Sequence, residues 1–128
     1  SYVSVIPDEI LVKLAEKKDI NDIFVFKINF TAGKVGAKCD LQFSVEENPY
    51  FSLNETVKIS EETQEVQIRP NYKMTLEEFR KNAPLDSPTN LPINIKVLND
   101  EEEVELQGGN WHITIVNKKL KSLKISVK

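Results

Sequence analysis

Apolar and polar positions alternate most cleanly over residues 55–71, ETVKISEETQEVQIRPN, in two arms either side of a polar turn. Val57 and Ile59 alternate with Thr56 and Lys58. Beyond Glu61-Glu62-Thr63, Val66 and Ile68 alternate with Glu65, Gln67 and Arg69. A period of two gives each arm one apolar and one wet face, so the stretch predicts a β-hairpin. Two strands alone are marginal in water, and other segments must cover the apolar face.

The rest of the chain supplies them. Val3 to Ile6 is a short apolar piece stopped by Pro7-Asp8. Residues 9–15, EILVKLA, read as a strand through Ile10, Val12 and Leu14 or as a short helix capped by Asp8; the β-branched residues favour the strand. Residues 23–31, IFVFKINFT, place Phe24, Phe26, Ile28 and Phe30 on one face, the heaviest apolar row in the chain. Burying such side chains contributes about 1.5–3 kcal/mol each, so this strand is expected to be central, with its row meeting Val57, Ile59, Val66 and Ile68 across the core. After a turn at residues 32–36, residues 39–46 turn Cys39, Leu41, Phe43 and Val45 inward, and Asn48-Pro49 ends the run.

Residues 73–90 break the pattern. Thr75 and Glu78 spell a capping box, which predicts one or two helical turns through Lys81 with Leu76 and Phe79 facing the core. A loop follows to Asn90. Residues 91–98 resume a strand with Leu91, Ile93, Ile95 and Val97 inward, and Pro92 places its first residues at an edge. A turn at Asn99-Asp100, a short arm at residues 104–106 and a Gly108-Gly109 turn lead into residues 110–116, where Trp111, Ile113 and Ile115 share a face. Leu123, Ile125 and Val127 spell a last strand. About eight short antiparallel strands with one short helix predict an all-β, immunoglobulin-like antiparallel sandwich, with an up-and-down barrel as the alternative.

Composition narrows the function more than the fold. At 128 residues the chain is expected to be a single domain over 1–128, excised from a larger protein. A net charge of −3, with 15 Lys against 2 Arg, argues against nucleic acid as a partner. No apolar run is long enough for a transmembrane span. The lone Cys39 shares parity with Leu41 and Phe43 and reads as core. One histidine, His112, on the face opposite Trp111, and one cysteine cannot close a zinc site, and no nucleophile motif accompanies any serine. The acidic run from Asp100 to Glu103 lacks a calcium-loop spelling and reads as a solvated turn, balanced by the lysines from Lys118 onward. The expectation is therefore a non-enzyme with no cofactor and no metal. Asn29-Phe30-Thr31 and Asn54-Glu55-Thr56 spell glycosylation acceptors that matter only in a eukaryotic secretory chain.

Val45, Glu46, Asn48 and Pro49 at the bend, VKISEETQEVQI from Val57 to Ile68, and LPINI from Leu91 to Ile95 come in an order that is familiar. Over roughly residues 9–116 the chain resembles the immunoglobulin-like N-terminal module of surface lipoproteins from Bacteroidetes. The resemblance implies export to the cell surface or periplasm, lipid anchoring through a segment outside this sequence, and neighbouring domains that handle glycans or other nutrients. It implies no catalytic residue. The expected function is a non-catalytic spacer or interaction module whose partners are adjacent domains, a glycan or another surface protein. The alternative is a carbohydrate- or protein-binding module in which Tyr72, Phe79 and the 73–90 loop form the contact surface.

Overall fold

The computed structural model describes residues 2–31, 39–100 and 103–118. The strands are β1 (Tyr2–Ile6), β2 (Glu9–Lys13), β3 (Phe24–Thr31), β4 (Cys39–Val45), β5 (Phe51–Ser52), β6 (Asn54–Ile59), β7 (Thr63–Ile68), β8 (Asn71–Tyr72), β9 (Thr89–Leu98), β10 (Glu105–Gln107) and β11 (His112–Val116); all but the two-residue β5 and β8 arise from the alternating segments. A 3-10 turn at Leu14–Glu16 follows β2, so the ambiguous 9–15 segment is a strand that ends in a single helical turn. The turn expected at residues 32–36 and the strand expected at Leu123 to Val127 lie outside the described residues.

Among the described residues the protein is all-β apart from one short α-helix and the 3-10 turn, and its strands form two larger sheets and a ribbon. One sheet runs β10-β1-β3-β7, the other β2-β11-β9-β4-β6, and β5 pairs with β8. Their inward rows meet in one hydrophobic core that includes Phe24, Phe26, Ile28, Leu41, Phe43, Ile68 and Ile113. Cys39 is in it, as its parity predicts.

Three expectations are corrected. The arms of the 55–71 stretch do not pair with each other. β6 pairs with β4 in one sheet, Val57 opposite Leu41, while β7 pairs with β3 in the other, Val66 opposite Phe26. The polar link at residues 60–62 is thus an arch between sheets, and the two apolar faces belong to opposite sheets. Second, Val66 and Ile68 lie beside the Phe row within the same sheet, not across the core from it. Across the core, the Phe26 ring meets Phe43 of β4, with centroids 5.1 Å apart.

Third, the sheets are mixed. The amino-terminal strap divides at Pro7: β1 pairs antiparallel with β3 and parallel with β10, and β2 pairs parallel with β11. Pro92 obeys the edge rule locally although β9 is internal. The Ile93 N–H donates to the Trp111 carbonyl (2.8 Å), which turns the Pro92 nitrogen toward the opposite side, where pairing with β4 begins only at Ile93.

Helix α1 (Leu76–Asn82) starts on the capping box read from the sequence: the Glu78 N–H donates to Thr75 Oγ1 (3.2 Å) and the Thr75 N–H to Glu78 Oε1 (3.0 Å). Its far end is tied down by side chains from elsewhere. Asn117 Nδ2 donates to the Arg80 and Ala83 carbonyls (2.9 and 2.8 Å), groups that a helix terminus leaves without an internal partner. The Arg80 guanidinium in turn donates to the Leu14 carbonyl (2.8 and 3.1 Å) and to the Lys17 carbonyl (2.6 Å).

Candidate functional site

Of the contact surface expected from Tyr72, Phe79 and the 73–90 loop, Phe79 is interior, Tyr72 is half-buried and most of the loop is exposed. Phe79 is 1% exposed and stacks on Tyr50, with centroids 5.1 Å apart and rings 25° from parallel. Phe79 therefore has no ring face to offer a ligand, because the apolar side of α1 must be buried against something and the rings of Tyr50, just before β5, and Tyr72 of β8 are there. Tyr72 is half-buried, its ring set edgewise to Phe51 and Phe79 at 6.0 and 6.1 Å. Burial pushes its phenol well above the usual tyrosine range, since the phenolate would lose its hydration, and the nearby Asp22 charge adds to the effect. Trp111 is core, as its parity predicts, and its Nε1–H donates to the Val5 carbonyl at 2.8 Å.

The densest polar constellation lies at one end of the outer face of the five-stranded sheet. Parallel pairing sets His112 of β11 opposite Glu9 of β2, and antiparallel pairing sets it opposite Pro92 of β9. His112 Nε2 lies 3.1 Å from Glu9 Oε2, and Nδ1 lies 2.6 Å from the Asn110 carbonyl. Thr114 Oγ1, one register step along the same face, is 2.8 Å from Glu9 Oε2 and 2.9 Å from Asn90 Oδ1. A shallow groove of about 470 Å³ opens beside this cluster, lined in part by Asn90, Asn94, Asn110 and Trp111.

These bonds fix the chemistry of the imidazole. A carbonyl and a carboxylate only accept, so both ring nitrogens must carry hydrogen for both contacts to be bonds. The Asn110 carbonyl, then Glu9, raise the His112 pKa above its ordinary value of 6.5. The Thr114 hydroxyl, then His112, lower that of Glu9. A protonated ring with both N–H groups engaged has no lone pair with which to act as a base. The Thr114 hydroxyl contacts Glu9 and Asn90 rather than the imidazole, so the relay of nucleophile, histidine and carboxylate that defines a catalytic triad is not what these groups form.

Elsewhere, among the described residues, no three His, Cys, Asp or Glu side chains gather as metal ligands. Of the acidic run, Asp100 Oδ2 accepts from the Val104 N–H at 2.9 Å. Lys73 Nζ pairs with Glu47 and the Asn48 carbonyl (2.9 and 2.7 Å), and Asn48 Oδ1 takes the N–H groups of Tyr50 and Phe51, an arrangement that fixes the bend before β5. No helix among the described residues is long and apolar enough to cross a membrane. Compared with protein-family models and with curated proteins, the chain matches none.

Glu9 was not singled out by the sequence reading. Its pairing with His112 depends on which distant strand β2 joins, and no local pattern encodes that.

Proposed function

We propose that the chain is a non-catalytic, immunoglobulin-like module of an exported or cell-surface protein that positions its neighbours. The observation that carries this reading is the state of His112. The sole imidazole of the chain lies within hydrogen-bond distance of an acceptor at each nitrogen and joins two strands, which supports a part in cohesion rather than in proton transfer. Strand order supports the fold assignment. An immunoglobulin-type sandwich places its first, second and fifth strands in one sheet and its last, sixth and third strands in the other, and variable-type domains extend that second sheet past the third strand. Within the orders β10-β1-β3-β7 and β2-β11-β9-β4-β6, the β1-β3-β7 and β11-β9-β4-β6 neighbours run in that sequence, which supports the reading, while β10 beside β1 and β2 beside β11 are additions to it and no fourth strand lies beside β7 among the described residues.

Export, lipid anchoring and a link to glycan or nutrient handling rest on the resemblance of the bend, the 57–68 stretch and the LPINI strand to surface lipoprotein modules. The spacer is favoured over a glycan-binding module because Phe79 and Trp111 are core, which leaves half-covered Tyr72 as the one ring of the expected contact surface within reach of a ligand. The purified domain, screened against glycan arrays and a panel of hydrolase substrates, is expected to give neither binding nor turnover. Turnover that disappears on changing one residue would overturn the reading, and glycan binding abolished by Tyr72→Ala would replace it with the binding-module alternative.

A further inference from the structure

We propose that Glu9, His112 and Thr114 form a pH-sensitive latch that fastens the strap strand β2 to β11. Among the described residues β2 is the outer strand of its sheet, with β11 its one backbone neighbour there. At its leading end the strap is gathered onto β11 three times: the His112 N–H donates to the Asp8 carbonyl (2.8 Å), the imidazole meets the Glu9 carboxylate, and the Thr114 hydroxyl meets the same oxygen. Only the charged ring can donate to the Asn110 carbonyl and to Glu9 together; a neutral ring keeps one of those two bonds and loses its charge attraction for the carboxylate, while the Thr114 contact remains.

The groups around the imidazole agree in sign. From the strap come the carboxylates of Asp8 and Glu9, both of which favour the imidazolium; β9 contributes Pro92, which is uncharged; and its own strand contributes the Asn110 carbonyl. His112 holds its proton more tightly folded than unfolded, so its contribution is complete below the ordinary imidazole value and disappears as pH rises through the folded one. Glu9 holds its proton less tightly folded, so its contribution is present above the ordinary carboxylate value and disappears as pH falls through the folded one. The latch is closed between those limits and opens on the alkaline side first. Both side chains are partly exposed, so salt weakens it.

The test follows His112 by NMR titration and the strap by native-state amide exchange, each rate divided by its intrinsic rate at that pH. His112 is expected to titrate above 6.5, and β2 amides are expected to lose protection across that titration while β4 and β9 amides keep theirs. Glu9→Gln should bring the titration down, and His112→Gln should leave β2 weakly protected at every pH. The proposal is overturned if the wild-type ring titrates at or below the ordinary value, or if β2 protection is unchanged as the ring loses its proton. Those two readings need only the wild-type protein, so they stand even where a variant fails to fold.

Discussion

Phe26 shows what parity alone can tell about a residue. Its side chain is fully buried, lies beside Val66 within its sheet and meets Phe43 from the opposite one, so Phe26→Ala removes contacts in two directions. A destabilisation of about 3–5 kcal/mol is expected. Lys58→Ala, on the wet face of β6, should stay within about 0.5 kcal/mol, and paired urea melts compare the two directly. Tyr72 carries a pH dependence of its own. Because its phenol titrates higher folded than unfolded, it stabilises fully below the ordinary tyrosine value of 10.0 and that stability drains away as pH rises beyond it. Tyr72→Phe should flatten the alkaline arm of a plot of stability against pH without changing its slope near neutrality. The inward parity of Phe24, Cys39 and Trp111 was legible from their own segments. Tyr72 was not, because its cover comes from Phe51 on a separate strand.

At the scale of elements, the strands were visible apart from the two-residue β5 and β8, and a strand's partner often was not. A period of two says that an arm has one buried face; it does not say which sheet buries it. The 57–68 stretch would look the same as a hairpin or as an arch, although Ser60-Glu61-Glu62 lacks the glycine or asparagine that tight hairpin turns require. Helix α1 was legible because its signal is local, four residues of capping box. Its anchorage was not, since Asn117 reaches it from the end of β11. Asn117→Ala strands two carbonyls at the helix end, one of them in a buried setting. A loss of about 1–3 kcal/mol is expected in thermal or denaturant melts, more than an ordinary surface substitution costs.

For the molecule as a whole, the decisive pairings join the two ends of the chain. β1 with β10 and β2 with β11 each close a loop that contains most of the domain, and closing a long loop costs entropy before its contacts return any stability. The strap is therefore expected to dock after the folding transition state. Val12→Ala, at a buried strap position, should then accelerate unfolding and leave the folding rate nearly unchanged, a result read from the two arms of a chevron plot. Equal effects on both arms would place the strap in the nucleus. The same long separation explains why the Glu9 and His112 pair escapes a reading of the sequence: it exists only once both ends have met.

The parallel run of β2 beside β11 also decides how the protein bears a load. A pull applied at Asp8 and Asn117, which flank the paired segments, draws β2 backward from its leading end and β11 forward from its trailing end, so the strands must slide lengthwise past each other. In that direction the backbone bonds between them are strained together, whereas an antiparallel hairpin pulled from its open end parts one bond at a time. The contacts of Glu9 with His112 and Thr114 span the same sliding plane. A domain tied in this way resists being drawn out along its length, and its resistance is greatest while the imidazole is charged.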